Sequence, residues 1–278
     1  MESKIRDISQ DYWTSRLTPY LTVRTTRDST QGYKAHYHPE LSIGIMLAGQ
    51  TCLSLYSSNV LLNEGDVILI EPNMVHACNP VDNTPRSYRM LYIDNQWCCN
   101  ALSKLFGYEV KSFRVDHILF SDQSRELGIE NSVSMLINHE SQHIASSIEN
   151  SILDLLSRCC SPSIGDNNDD LAYKVRDLLL KDIENAPQLE AIANQLRYSQ
   201  ETLIRKFKRQ FGITPKSFLS NYRVEKAKVL LKGGMEITDV ANELGFFDQS
   251  QLHRTFVSYT ASTPGQYQLI KSIIDNND

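Results

Sequence analysis

A near-repeat in the last third of this 278-residue chain constrains its fold more than any other feature. Residues 189–215 and 237–264 follow one pattern, in which Ala-Asn-Gln-Leu at 193–196 returns as Ala-Asn-Glu-Leu at 241–244. Both copies continue through a Leu and a Phe four residues apart and end at a Thr-Pro pair. Such recurrence indicates two copies of one small helical unit. Each copy predicts a short helix, a tight turn and a second helix, which is the helix-turn-helix arrangement that reads the major groove of DNA.

In the first unit, the second helix is predicted to begin after Ser199, whose hydroxyl can accept a hydrogen bond from a free backbone N–H group. Leu203 and Phe207 lie on one side of this helix and are predicted to face the core. The residues on the opposite side therefore face solvent or DNA. The predicted DNA contacts of this unit are Glu201, Ile204, Arg205 and Lys208.

The second unit repeats this logic with a different set of side chains. Asp248 is the predicted N-cap, Gln251 lies three residues further on in a box-like pair, and Leu252 and Phe256 turn inward. The predicted DNA contacts of this unit are Gln249, Ser250, His253 and Arg254. Arginine can bind guanine, and glutamine adenine, through two hydrogen bonds in the major groove.

Between the units, the sequence predicts one linker helix. Pro215 suits the first turn of a helix, residues 216–232 contain good helix formers, and Gly233 and Gly234 end the pattern. Charge supports the same interpretation, since residues 1–170 hold 13 Lys and Arg against 21 Asp and Glu, whereas residues 171–278 hold 15 against 12. Only the C-terminal part has the sign that a phosphate backbone attracts.

The N-terminal part has the pattern of short strands separated by turn residues, which is typical of an all-β barrel or sandwich. The predicted strands cover residues 41–47, 51–56, 65–70 and 88–93. Further on, an apolar stripe at helical spacing predicts a helix whose stripe packs on the β domain or pairs with a second copy of the chain. The residues of this stripe are Ile144, Ile148, Ile152, Leu155 and Cys159.

These patterns predict an α+β chain in two domains: a β-barrel with flanking helices at 1–160 and an all-α domain at 171–278. A Pro-, Gly- and Asp-containing linker at 161–170 joins them. The sequence has no run of about 18 apolar residues and no signal peptide at 1–13, so we expect a cytoplasmic protein without a membrane partner. No Cys-x-x-Cys occurs, which argues against a cysteine zinc site or a disulfide framework.

The C-terminal residues also resemble a known family, the AraC/XylS-type transcription regulators, over residues 172–270. The second unit carries the most specific motifs, which are Ala-Asn-Glu-Leu-Gly-Phe at 241–246, Asp-Gln-Ser at 248–250, Arg-Thr-Phe at 254–256 and Thr-Pro-Gly-Gln-Tyr at 263–267. The resemblance implies a seven-helix domain with the second helix of each unit in the major groove. It implies that the predicted contacts named above, with the exception of Lys208, face the DNA bases.

The second unit departs from the family pattern after Phe256. The family has a basic residue there and later a Phe-Gly pair, as the first unit has with Lys208, Arg209 and Phe-Gly at 211–212. Here Val-Ser at 257–258 and Thr-Ala at 260–261 take those positions. A phosphate anchor is therefore missing, so we expect weaker binding by the second unit, with its sequence preference kept.

Two N-terminal segments resemble the halves of a cupin barrel motif: His-Tyr-His-Pro-Glu at 36–40, and Gly65-Asp66 leading to His76. On a strand, residues 36, 38 and 40 would share one face. We expect an organic effector pocket here, with a metal site or a structural polar cluster as the alternatives. The predicted effector-binding residues are His36, His38, Glu40 and His76.

Four further residues are candidates for this pocket, and a buried arginine among them would favour an acidic ligand. They are Arg24, Tyr88, Arg89 and Tyr92.

The leading hypothesis is a sequence-specific DNA-binding transcription regulator whose cupin-like domain senses a small molecule, without enzymatic activity, a cofactor or a bound metal. Its expected partners are double-stranded DNA, a small-molecule effector and a second copy of the chain, with RNA polymerase as a further candidate. The alternative is a metal-dependent cupin enzyme, with a metal bound by the four pocket residues and a helical domain that docks a partner.

Overall fold

A computed structural model describes residues 10–55, 58–121, 128–163, 170–269 and 271–272. Within these ranges a sheet-rich N-terminal part is followed by a helical C-terminal part, so the predicted α+β class is confirmed. No helix in them has the length and apolar character needed to cross a membrane.

The described residues contain twelve strands, arranged in three sheets. The strands are β1 Gln10–Thr14, β2 Leu21–Ser29, β3 Leu41–Ala48, β4 Thr51–Leu55, β5 Asn59–Leu62, β6 Val67–Ile70, β7 His76–Pro80, β8 Arg86–Ile93, β9 Phe113–Val115, β10 Leu119–Phe120, β11 Cys160–Pro162 and β12 Lys271–Ser272. The four predicted strands are present as β3, β4, β6 and β8, with ends that differ by at most two residues, and residue 56 lies outside the described ranges.

The largest sheet has seven strands in the order β10-β6-β3-β8-β2-β1-β12. Its neighbours are antiparallel except β1 and β12, which pair in parallel. Side chains alternate between its two faces, so on β3 Ile43 and Ile45 enter one core while Met46 enters another. Both faces are covered, which explains why β3 is apolar almost throughout instead of alternating.

Three helices cover one face of this sheet: α1 Asn95–Phe106, α2 Ile129–Asn138 and α3 Gln142–Cys159. The five stripe residues of α3 all lie in the core between these helices and the sheet. The stripe therefore packs on the β domain, the first of the two uses that the sequence left open. A three-stranded sheet in the order β5-β4-β7 covers the other face and encloses a second core.

Seven helices follow in the described residues, the number that the family resemblance implies. They are α4 Asp170–Leu180, α5 Leu189–Leu196, α6 Gln200–Phe211, α7 Pro215–Lys232, α8 Ile237–Glu243, α9 Gln249–Thr260 and α10 Pro264–Gln268. The two repeated units have separate cores, and α7 contributes Phe218 to the first and Val224 and Leu231 to the second. This helix spans about 27 Å at about 1.5 Å per residue.

The predicted caps are present at both second helices. Ser199 accepts a hydrogen bond from the backbone N–H of Thr202, and Asp248 accepts one from that of Gln251. The box-like pair differs from expectation in one detail, because the Gln251 side chain accepts from Phe247 N, one residue before the N-cap. Each helix therefore begins at a defined residue, which positions its exposed side.

The predicted linker at 161–170 lies mostly outside the described residues. Of its members, residues 161–162 belong to β11, which pairs with β9, and α4 begins at Asp170. The boundary between two domains in this segment stays a prediction.

Candidate functional site

The predicted DNA contacts lie on the outer sides of α6 and α9. Leu203, Phe207, Leu252 and Phe256 are fully buried beneath them, as expected. Arg205 and Arg254 are exposed, and so are the other predicted contacts except Ile204, which is half-buried. The structure thus leaves these side chains accessible to DNA, and their contacts with bases stay predictions.

The two units differ at the turn before the second helix. Tyr198 and Phe246 occupy matching positions, because their N–H groups donate to Ala193 O and Ala241 O respectively. The second unit then has one extra residue before its N-cap, Phe247, whose side chain is 90% exposed. Sequence reasoning missed Phe247 as a surface residue beside α9, although the extra position is visible when the repeats are aligned.

A narrow cavity of about 30 Å³ lies between the seven-stranded and three-stranded sheets. Aliphatic and aromatic side chains of both sheets form most of its wall, among them Met46, Leu62, Ile68, Ile70 and Met90. The polar groups that face it include two guanidinium groups, three imidazoles and three tyrosine rings. An apolar cavity with a few convergent polar groups is the usual form of a small-molecule site.

Arg24, one of the four further residues considered for the effector pocket, is buried in the wall of this cavity. Its guanidinium carbon lies 5.5–5.6 Å from the ring centres of Tyr33, Tyr88 and Tyr92. One terminal nitrogen donates to Thr260 O at 3.3 Å, and the buried Nε has no hydrogen-bond partner. The charge is therefore stabilised by aromatic faces and a carbonyl group, an arrangement that leaves it able to bind an anion.

A second arginine, Arg86, also faces the cavity, and sequence reasoning missed it. It is 1% exposed and donates to three backbone carbonyl groups, while its Nε also lacks a partner. Within the described residues, no carboxylate pairs with Arg24 or Arg86.

Arg89 was a candidate for the same pocket, and the structure places it elsewhere. Its side chain lies on the helix-covered face of the sheet, where it pairs with Glu130 of α2 at 2.8 Å and donates to Ser134. The alternation along β8 accounts for this, since Tyr88 and Tyr92 face the cavity and the odd-numbered Arg89 faces away. Arg89 therefore has a structural role between the sheet and α2.

The three histidines of the predicted effector set form a cluster at one end of the cavity. Their potential ligand atoms all lie within 4.8 Å of one another. The prediction that residues 36, 38 and 40 share the face of one strand is wrong, because they lie outside the named strands. Instead, His36 forms an isolated antiparallel bridge with His76, and a backbone bond from Asn73 N to His38 O holds the third member.

Burial favours the neutral form of all three imidazoles in this cluster. Burial, followed by the proximity of His76, lowers the pKa of His36 and His38 well below the usual range of histidine. Burial also lowers the pKa of His76, to about 4. Neutral imidazoles can accept hydrogen bonds or bind a metal.

Glu40, the fourth predicted effector residue, is not a member of the histidine cluster. It lines a second cavity at the junction between the sheets and α7, together with His36, His38 and Lys228. Lys228 there pairs with Glu225 at 2.6 Å, and both side chains are mostly buried. The two α7 residues were missed because their positions look like the exposed side of an ordinary helix.

The junction also joins the cavity wall to the second helical unit. Arg24 donates to Thr260 O, Lys34 N donates to Ser258 O at 3.1 Å, and the Tyr12 hydroxyl bonds Ser262 at 3.1 Å. These partners lie in and directly after the segment where the second unit departs from the family pattern. The substituted positions at the end of α9 are thus used for contact with the N-terminal part.

The first unit is joined to the N-terminal part at another point. The side chain of Asn221 in α7 accepts from Tyr37 N at 2.8 Å and donates to Tyr37 O at 2.9 Å. The Tyr37 ring stacks on Phe218 with centres 5.3 Å apart. Asn221 is fully buried, so this contact is a specific polar link within an apolar interface.

Comparisons with known proteins agree with this architecture. A model of the AraC-like ligand binding domain matches residues 18–152, and a model of a helix-turn-helix domain matches residues 192–269. Among similar proteins, the HTH-type transcriptional regulator YbfI of Bacillus subtilis is 27% identical over 249 residues, covering 86% of this chain and 89% of the relative. The lactose operon transcription activator of Staphylococcus xylosus is 20% identical, with coverage of 85% and 86%.

The solved structures include ToxT of Vibrio cholerae, which has the same fold. An apo form matches with a TM-score of 0.58 and 16% identity, covering 90% of this chain and 97% of that one. ToxT with a bound unsaturated fatty acid matches with a TM-score of 0.56 and 17% identity, with coverage of 90% and 94%. The two domain models and the full-length relatives together show that the chain is an AraC-type transcription regulator, with an N-terminal ligand-binding domain and a helix-turn-helix DNA-binding domain.

Proposed function

We propose that α6 and α9 bind two successive major grooves through the eight predicted contact residues, and that a small acidic molecule in the sheet cavity controls this binding. The observation that carries the proposal is Arg24, which lies in the cavity wall and also donates to Thr260 at the end of α9. One side chain thus connects the effector site with a DNA-reading helix.

The acidic nature of the effector follows from the charges in the cavity. Arg24 and Arg86 are both buried, and both keep an unpartnered Nε. A carboxylate would supply the missing hydrogen bonds and compensate the charge, while an apolar body would contact the apolar wall, for which the narrow cavity has to widen. A carboxylic acid with a hydrocarbon chain has this chemistry, as does the unsaturated fatty acid bound to ToxT.

Control follows from competition for Arg24. When its guanidinium group turns toward a carboxylate, the bond to Thr260 O weakens, and one of the contacts that hold the end of α9 is lost. The effector then favours the state in which α9 is free to move relative to the sheets, and it can shift the equilibrium only by this difference in affinity.

The experiment measures binding of the purified chain to DNA selected from the region flanking its own gene. We expect a protected site of about two helical turns and a salt-dependent affinity. Octanoate and oleate should change this affinity, whereas the corresponding alcohols should not. DNA binding that depends neither on the base sequence nor on the salt concentration contradicts the proposal that α6 and α9 bind specific sites.

Arg24→Gln tests the effector part, since it removes the charge and should abolish the response to carboxylates. Arg27→Gln is the matched control, because Arg27 is on the same strand, is exposed and pairs with Asp11. An unchanged response in Arg24→Gln would rule out this arginine as the carboxylate site.

The remaining expectations belong to the same proposal. We infer an effector-binding part at 1–160, a linker at 161–170 and a DNA-binding part at 171–278, and a chain without enzymatic activity, as its similarity to transcription regulators supports. A homodimer and contact with RNA polymerase stay predictions. Since the apolar stripe of α3 is buried within its own chain, a dimer would use another surface.

A further inference from the structure

The backbone around the histidine cluster holds two of the three rings side by side. His36 and His76 exchange both hydrogen bonds of an antiparallel pair, at 2.9 and 2.8 Å. Residues directly opposite each other in such a pair carry their side chains on the same face. The ring centres of His36 and His76 are 4.5 Å apart, and that of His38 lies 4.9 Å from His76.

Hydrogen bonds to backbone carbonyl groups determine which nitrogen of each ring is free. Nδ1 of His36 lies 2.8 Å from Lys34 O, and Nδ1 of His76 lies 2.9 Å from Met74 O. A carbonyl oxygen only accepts, so Nδ1 carries the proton in both neutral rings and Nε2 keeps its lone pair. Nδ1 of His38 likewise lies 3.3 Å from Glu40 O.

Lone pairs that converge in a buried space repel each other unless a cation or a donor lies between them. Histidines that bind a metal typically donate their other N–H to a carbonyl or carboxylate, which fixes the tautomer and the ring orientation. His36 and His76 have this arrangement, whereas in His38 Nδ1 lies 3.3 Å from Glu40 O and the Ser42 hydroxyl lies 3.3 Å from both ring nitrogens. His38 and His76 are each 3% exposed, while His36 is only half-buried and leaves a route for an ion to enter.

We propose that His36, His38 and His76 bind a divalent transition-metal ion such as Zn²⁺, with an open coordination position that faces the effector cavity. Three imidazoles and one exchangeable ligand form a common zinc site, and imidazole also suits other late first-row metals. The position four residues after His38 holds Ser42, whose hydroxyl lies 3.3 Å from the His38 ring, so no carboxylate completes the set there.

The nearby thiol of Cys78 is not part of the proposed site. Cys78 also lines the cavity, but its sulfur is not among the atoms that lie within 4.8 Å of one another. The proposal goes beyond effector control, because metal binding can be measured without DNA or a carboxylate.

The test titrates the chelator-treated full chain with Zn²⁺ by calorimetry and with Co²⁺ by visible absorption, which reports the coordination geometry. We expect one ion per chain. His36→Ala and His76→Ala should each weaken metal binding more than tenfold. Loss of a residue that only hydrogen-bonds to a metal ligand already lowers metal affinity about 10–100-fold. His143→Ala, at an exposed position on α3, and Cys78→Ser should bind like the unchanged chain.

Circular dichroism establishes that each variant folds, and His36→Ala keeps the test decisive should His76→Ala unfold, because His36 is half-buried. No binding of either ion by the unchanged chain overturns the proposal. Binding that survives in folded His36→Ala, or that disappears in Cys78→Ser, overturns it too. None of these results bears on DNA binding, so failure here leaves the proposed regulation intact.

Discussion

Individual residues show where sequence reasoning reaches its limit. The exposed side of each reading helix follows from its cap and its two buried residues, because 3.6 residues per turn fix the rest. The cavity was less predictable: a strand presents alternate residues to each face, and the sequence does not say which face is which. Of the candidates, Tyr88 and Tyr92 face the cavity and Arg89 lies on the opposite face, while Arg86, which also faces the cavity, was not considered.

Lys208 and Arg254 are expected to differ in the kind of contact they make. Lys208→Ala should weaken binding to all DNA sequences alike and reduce the slope of log affinity against log salt by about 0.9, the value for one phosphate contact. Arg254→Ala should instead relax the preference at one base pair by about 1–3 kcal/mol. Salt titrations on the selected site and on single-base variants measure both.

The control for this pair is Arg158→Ala, since Arg158 is exposed at the end of α3 and pairs with Asp154. It should leave both quantities unchanged. A uniform loss of affinity in Arg254→Ala, with every base preference kept, would contradict its assignment as a base contact.

Among the elements, the two helical units were the most predictable, because caps, apolar spacing and repetition all favour the same structure. The conformation of residues 36–40 was not predictable, because an isolated bridge of one residue pair has no periodic sequence pattern. The sequence predicted the length of α7 but not its contacts with the N-terminal part. Its polar Asn221 and Lys228 lie against the N-terminal part, and only the assembled chain shows that they are covered.

The turns inside the two units offer a matched pair of substitutions. Arg197 and Gly245 occupy the same place after the first helix of each unit, and both have left-handed backbone, with φ of 59° and 66°. A Cβ on Gly245 would lie 2.0 Å from Glu184 O, so Gly245→Ala should lower the stability by at least about 2 kcal/mol.

Arg197→Gly should leave the stability unchanged or raise it by up to about 1 kcal/mol, because glycine accepts this conformation without strain but loses more entropy on folding. Urea denaturation followed by circular dichroism compares the two. Equal effects at the two turns would show that the close approach of Glu184 O has no consequence.

For the whole molecule, the contacts between the sheets and the helices determine how a ligand could influence DNA binding. Their side-chain hydrogen bonds include those of Arg24 and Tyr12 to the second unit and that of Asn221 to Tyr37 at the first. This junction could not be predicted from sequence, since its residues come from segments more than 180 positions apart and no local pattern links them. The class of regulator, in contrast, follows from the C-terminal motifs alone.

Asn221→Ala should separate the first unit from the N-terminal part. It leaves the buried Tyr37 N–H and C=O without partners, at a cost of about 1–3 kcal/mol for each group. We expect a lower urea midpoint and a weaker effect of carboxylates on DNA affinity. Asn242→Ala, at an exposed position on α8, is the control and should change neither.

Asn221→Asp refines the test, because its oxygen still accepts from Tyr37 N while the donor to Tyr37 O is lost. A midpoint in Asn221→Ala equal to that of the control would show that the junction does not depend on this side chain.

The parallel pairing with β12 covers two of the five residues of β1 at one edge of the seven-stranded sheet. Lys271 and Ser272 lie beside Trp13 and Thr14 at the outer margin of the seven-stranded sheet. An uncovered margin presents a row of free N–H and C=O groups to any other extended polypeptide. A version of the chain shortened just after α10 would therefore be prone to aggregate by edge-to-edge association, even with both helix-turn-helix units intact.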